Sequence, residues 1–350
     1  MTQGKKIRFG ITGSGYMGRT HGEAIQHLSE TAELVALWGG SRAAGLAERL
    51  HVANESSLES LMQRQDIDAI VITTPHHLHA RETILALESG KHVLVEKPMA
   101  TSVEDCDRMI AAASRHGRVL GVAYNLRFRN NLPQARELIS SGAIGRVQSL
   151  HYSMIRQLAN LGNFGGNKMG WVSLPESVGF VLGGLTHGMD AIRWATGAEV
   201  TKTAGFCRTF TPGRAIEDTT VGIMELSDGA VCSVHTTTAA HGEFPGEMAR
   251  LTIHGSAGSL DIDTFGKMHL TDRVEGWRLV TTQAPVRPDD PKAAFGPGRM
   301  QAFYDQIQSF IDGIHGQAMR VANGYDGRQG VTACLAMLAS SQKNQPVTPA

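Results

Sequence analysis

The sequence predicts an α/β fold. A doubly wound parallel sheet takes up the first third, and a second α+β domain on a large, mostly antiparallel sheet follows. Three observations predict it. Short, nearly all-apolar runs alternate with stretches of helical spacing as far as residue 123. The turn Gly13-Ser14-Gly15-Tyr16-Met17-Gly18 follows the first apolar run at once. Beyond residue 123 the helical texture gives way to alternating and β-branched runs.

Ile7 to Ile11 is the first strand, and "GSGYMGRTHGEAIQHL" breaks it with glycines before resuming at helical spacing. "AELVALW" is a strand, "SRAAGLAERL" a helix, and "DAIVITT" a strand ended by Pro75. "LHARETILALESG" reads as a helix with Gly90 as its C-cap. "HVLVE" is a strand, and the next helix opens on a capping box from Thr101 to Glu104 and closes on Gly117. "VLGVAY" completes the set. Strands this apolar are covered by helices on both faces. In the remainder, "GRVQSLHYSMI", "EVTKTAGFCRT", "DTTVGIMELSDG", "AVCSVHTTTA" and "EMARLTIHG" read as strands, with a hairpin turn at 227–230. Two late segments, "MQAFYDQIQSFIDGIHG" and "YDGRQGVTACLAMLASS", return to helical spacing. The expected domains are therefore residues 1–123, on a doubly wound sheet, and 124–350, on a mostly antiparallel one.

Composition narrows the function. The 350 residues carry 33 Lys and Arg against 33 Asp and Glu, so no basic excess draws nucleic acid or an anionic membrane. No apolar run approaches the roughly 20 residues of a membrane span. The N-terminus lacks a signal-peptide pattern. Cys106, Cys207, Cys232 and Cys334 show no Cys-x-x-Cys spacing, which suits free thiols in a cytoplasmic protein.

A glycine turn between a strand and a helix is the setting in which Gly-x-Gly-x-x-Gly binds a dinucleotide. Gly13 allows the tight turn, Gly15 lets the backbone approach a pyrophosphate, and Gly18 permits close helix–strand packing. Ser14, Tyr16 and Met17 share the loop, whose helix N-terminus offers free amides. An NAD site usually places an acid at the end of the second strand. Here the residues are Trp38-Gly39-Gly40-Ser41-Arg42, and Ser41 and Arg42 suit a 2′-phosphate. The cofactor reading leans to NADP(H), with NAD(H) as the other option. Thr74, Pro75, His79, Glu96 and Lys97 stand at strand ends where α/β sheets bind ligands, and complete the cofactor candidates.

"GKHVLVEKPMA", with "GSGYMG", "LRFRNN" and "HGMDAIRWATG", resembles the Gfo/Idh/MocA family of nicotinamide-dependent oxidoreductases over nearly the whole chain. The resemblance implies an N-terminal Rossmann domain and a C-terminal domain with a large open sheet. It implies pairing through that sheet as homodimers or homotetramers. It also implies sugars, cyclitols or cyclic diols as substrates, Lys97 beside nicotinamide and the reacting hydroxyl, and a Lys97–Pro98 bond that is commonly cis. His187 matches the family's catalytic histidine and Asp190 the Asp three residues after it. The Asp expected four residues before the histidine falls on Gly183 and is absent.

The implied chemistry is hydride transfer between nicotinamide and a secondary alcohol or ketone, coupled to proton transfer. His187 serves as proton carrier and Lys97 orients the oxygen. Asn125, Arg127, Arg156, Lys168, Trp171 and Asp190 are the substrate candidates. The arginines, Lys168 and Trp171 are equally readable as surface residues. "PHHLH" at 75–79 has no accompanying carboxylate or thiol, so no metal site is expected. A glycoside-cleaving enzyme using tightly held NAD(P) is the alternative function. A non-catalytic nucleotide-binding regulator is a third, disfavoured by the presence of both Lys97 and His187.

Overall fold

The apolar runs of the first third become strands because β-branched and aliphatic side chains pack well on a pleated surface covered on both sides. In the computed structural model, residues 5–156, 178–240, 249–272, 274–283 and 295–350 are described. The chain forms two units, Met1–Asn125 with Arg299–Arg328, and Leu126–Gly298 with Gln329–Ala350.

In the first unit the strands are β1 (Ile7–Thr12), β2 (Ala32–Trp38), β3 (Ala53–Asn54), β4 (Ala69–Ile72), β5 (His92–Val95) and β6 (Leu120–Val122). The helices are α1 (Tyr16–His27), α2 (Ala43–Leu50), α3 (Leu58–Gln63), α4 (His79–Glu88) and α5 (Val103–His116). The sheet runs β6-β5-β4-β1-β2-β3, all parallel, and Ala322–Asn323 adds an antiparallel edge beside β6. The order reverses between β1 and β4, where such sheets bind ligands beyond the strands' carboxyl ends. Phe9, Ile11, Ile70 and Ile72 are wholly buried in its core. The cap of α5 lies one residue beyond the expected Thr101: the Ser102 hydroxyl accepts from the Asp105 amide at 3.1 Å. A serine there satisfies one of the helix's unpaired N–H groups.

Residues 299–328, which the sequence reading assigns to the second domain, lie with the first unit. The reason is an apolar stripe on helix Pro297–Ile314: Phe303, Ile307 and Phe310 are buried, and the Phe310 ring lies 6.5 Å from that of Phe9. Burying each such side chain contributes roughly 1.5–3 kcal/mol.

The second unit carries an eight-stranded sheet. Its strands are β7 (Val147–Ile155), β8 (Val200–Arg208), β9 (Thr219–Leu226), β10 (Val231–Thr237), β11 (Arg250–Gly255), β12 (Gly258–Asp263), β13 (Lys267–Asp272) and β14 (Arg278–Thr282). Their order is β14-β13-β12-β11-β7-β10-β9-β8, antiparallel throughout except for β7 beside β10. The hairpin at 227–230 is present, with Gly229 at φ 85° and the Asp228 carboxylate accepting from the Ala230 amide. Strand residues alternate between a buried face, with Leu150, Tyr152 and Met154, and an open one, with Phe206, Val221, Ile223 and Val231. Helices α6 (Asn131–Ser140) and α7 (Thr186–Thr196) belong to this unit. No helix among the described residues is long and apolar enough to cross a membrane.

Candidate active site

The glycine loop joins β1 to α1, and its three glycines answer to different demands. Gly13 has φ 91°, and a Cβ there would lie 2.7 Å from the Thr73 carbonyl oxygen. A Cβ on Gly18 would overlap the Gly13 carbonyl. Packing within the protein therefore accounts for both. A Cβ on Gly15 would meet only Arg42 Nη2, at 3.7 Å. The protein itself does not demand a glycine at that position, and a phosphate approaching the backbone would. The residues present thus fit a dinucleotide, with Ser14, Gly15, Tyr16 and Met17 around the free end of α1. The turn after β2 lies over the loop: Gly13 donates its N–H to the Trp38 carbonyl at 2.8 Å. Arg42 reaches the glycine loop, and no carboxylate stands at the end of β2.

The neighbouring strand ends are tied by buried polar groups. The hydroxyls of Thr12 and Thr74 donate to the Glu82 carboxylate at 2.7 and 2.9 Å. Burial pushes the Glu82 carboxyl up, against those two hydrogen bonds. His79, wholly buried at the start of α4, places Nδ1 2.8 Å from the Pro98 carbonyl oxygen and Nε2 2.8 Å from that of Thr74. It thereby clamps the Thr74-Pro75 turn to the Glu96-Lys97-Pro98 turn. Among the described residues, no three His, Cys, Asp or Glu side chains gather as metal ligands.

Glu96 and Lys97 follow β5 directly, and the Lys97–Pro98 bond is cis. The Glu96 carboxylate is 7% exposed. One of its oxygens lies 2.8 Å from His21 Nε2, and the other accepts from the Lys97 amide at 3.2 Å. Burial works against its charge, but the hydrogen bond and charge of His21 and the charge of Lys97 outweigh it and hold the carboxyl below its ordinary value.

In the second unit His187 is carried by α7, which is entered through a π-helical turn, Val181–Leu185. Such turns are rare and frequent at functional sites. From Val181 to Asp190 only Gly183 and His187 are not fully buried. The helix is held at its entry and along its length. At its entry the Val181 amide donates to Glu217 Oε1 at 2.5 Å, and burial pushes the Glu217 carboxyl up to about 7. Further along, Arg127 makes a bidentate pair with Asp190: Nε lies 2.9 Å from one carboxylate oxygen and Nη2 2.5 Å from the other. Both side chains are buried, and the guanidinium lies 5.6 Å over the Trp194 ring.

Residues 7–124 match the profile of an oxidoreductase family with an NAD-binding Rossmann fold, and residues 132–261 match a GFO/IDH/MocA C-terminal domain. The chain belongs to the Gfo/Idh/MocA family. It is 26% identical to 1,5-anhydro-D-fructose reductase of Ensifer adhaerens over 97% of each chain. It is 28% identical to 2,7-anhydro-N-acetylneuraminate hydratase of Mediterraneibacter gnavus over 74% of this chain and 68% of that one. The crystal structure of an oxidoreductase domain protein from Kribbella flavida superposes with a TM-score of 0.86, at 25% identity over 99% of both chains.

Within the Gfo/Idh/MocA frame, the structure gathers the first unit's candidates around the glycine loop and the β4 and β5 ends. It gathers Arg127, Asp190 and His187 on and beside α7. Asn125 opens a short 3₁₀ turn at the end of the first unit, and Arg156 directly follows β7 with its amide on the Thr237 carbonyl. Lys168 and Trp171 lie outside the described residues. Two residues not singled out from sequence stand out, His21 and Glu217. His21 has one local signal, its place three residues beyond Gly18 on the first helix. Glu217 has none, since its partner amide lies 36 residues earlier.

Proposed function

We propose that the protein is an NAD(P)-dependent dehydrogenase or reductase of a secondary alcohol or ketone on a sugar, cyclitol or cyclic diol. The observation that carries this reading is the Glu96-Lys97-Pro98 turn, anchored by buried histidines at the end of β5, beside a loop whose Gly15 is shaped for a phosphate. When bound, the nicotinamide supplies a hydride donor or acceptor. Lys97 orients the substrate oxygen and stabilises negative charge developing on it. His187 carries the hydroxyl proton. With Asp190 committed to Arg127, that pair holds the helix of His187 in place. The cofactor is NADP(H) in preference to NAD(H), because Arg42 sits over Gly15 and no acid repels a 2′-phosphate.

The test is a screen of sugars, anhydro-sugars, cyclitols and cyclic diols with NAD⁺ and NADP⁺, followed at the nicotinamide absorbance. Reduction of NADP⁺ at lower cofactor KM is expected. Arg42→Glu is expected to raise the KM for NADP⁺ roughly 10–100-fold, the worth of a charged hydrogen bond, with a much smaller effect on NAD⁺. A wild-type preference for NAD⁺ sinks the NADP(H) assignment, and silence across the whole panel sinks the substrate class.

A second reading is transient oxidation, elimination or hydration, and re-reduction on retained cofactor. The likeness to a hydratase favours it. It predicts turnover with no added nicotinamide. The open sheet face, where Phe206 and Ile223 are 60% and 63% exposed, supports assembly. Such a face suits a second copy of the chain. Sedimentation should give a homodimer or homotetramer, and a monomer at micromolar concentration would reject this.

A further inference from the structure

His21 lies wholly buried on α1, yet it is not a simple filler of apolar space. Its Nε2 meets Glu96, and its Nδ1 is buried without a hydrogen-bond partner. Phe303 packs edge-on against the ring, with centroids 5.7 Å apart. Among the described residues, the ring's one polar engagement is therefore the carboxylate beside Lys97. Burying a His–carboxylate pair costs desolvation that a leucine–methionine contact would avoid. Stability alone gives no reason for the pair to be there.

The Glu96 carboxylate stands next in sequence to the Lys97 ammonium and would be attracted to it. With one oxygen on His21 and the other on the Lys97 backbone amide, it is instead pinned on the interior side of the turn. The charged or titratable groups facing Glu96 are His21, Lys97, His79 and Arg299. His79 spends its nitrogens on two carbonyls. Arg299 lies 4.7 and 4.6 Å over the rings of Tyr16 and Phe303.

We propose that His21 is a positioning residue for Lys97: it holds Glu96 on the lysine's backbone amide and keeps the carboxylate from drawing the ammonium away from the substrate. This rests on Lys97 being the catalytic lysine, so its test reads the lysine directly and not turnover.

The experiment is trace acetylation of the full-length protein with acetic anhydride across pH, with Lys97 followed by peptide mass spectrometry. His21→Leu frees the carboxylate onto the ammonium. The pH midpoint of Lys97 labelling should rise by about one unit, slowing labelling about tenfold below the midpoint. His21→Gln, which keeps a side-chain N–H donor, should hold the wild-type midpoint. The double variant His21→Leu with Glu96→Gln should fall to the wild-type midpoint or below it, the Glu96 charge being gone. If His21→Leu does not fold, His21→Asn, whose shorter amide does not reach Glu96, takes its place with the same expectation. The proposal is overturned by a midpoint unmoved by loss of His21, by a shift that persists without the Glu96 charge, or by one that His21→Gln shares in full. Lys97→Ala turnover tests the underlying assignment separately.

Discussion

Lys97→Ala is expected to lower kcat on any substrate found in the screen by about 10²–10³-fold, the cost of removing one preorganised charge-stabilising donor. His187→Ala is expected to cost about 10²–10⁴-fold, the usual contribution of a positioned proton carrier. The two losses should differ in kind. Without Lys97 the substrate oxygen is no longer oriented, so kcat and the substrate's KM both suffer. Without His187 binding persists, and the residual rate should climb with pH as hydroxide or water takes the proton. Steady-state kinetics from pH 6 to 10 with both variants, alongside cofactor binding by fluorescence titration, separates these outcomes. Full activity in His187→Ala would remove it as the base. It would transfer the proton to Lys97.

The second large effect is structural. Arg127 and Asp190 are 4% and 0% exposed and meet in a bidentate pair. Removing one partner of such a buried pair leaves the other charge desolvated without that ion pair, at a cost of about 3–5 kcal/mol. Arg127→Met and Asp190→Ala should each lower the melting temperature of the full chain by roughly 6–20 °C, taking about 2–4 °C per kcal/mol for a unit of this size. Arg127→Lys should recover little, because an ammonium cannot reproduce the planar fork. Arg127→Met with Asp190→Leu should recover most of the stability, since replacing both partners removes the stranded charge. The double variant should nonetheless stay impaired in turnover, as α7 would lose the contact that fixes His187. Differential scanning calorimetry and kinetics on the same four proteins check both halves. A single variant melting within 2 °C of wild type, about the worth of a surface pair, would show that water reaches the pair.

What could be read from the sequence was local. The glycine loop, the apolar strand runs, Gly117 as a helix stop and the turn at 227–230 each depend on residues a few positions apart, and all are present. Lys97 and His187 were legible because short motifs mark them. The capping of α5 slipped by a residue because Thr101 and Ser102 are chemically alike, and only the entry angle of the chain chooses between them. Residues 299–328 could not be placed, because a helical apolar stripe announces that it will be buried and not against what. The supports of the site were hidden for the same reason. His21 meets Glu96 across 75 residues, Arg127 meets Asp190 across 63, and Val181 meets Glu217 across 36. No period or spacing encodes such pairings. They arise when packing removes water from charged groups and brings distant partners together to satisfy them. The sequence by itself determined the fold class and marked the glycine loop, Lys97 and His187 as candidates. The tertiary structure decided which buried charges hold them, because desolvation is a property of the packed chain.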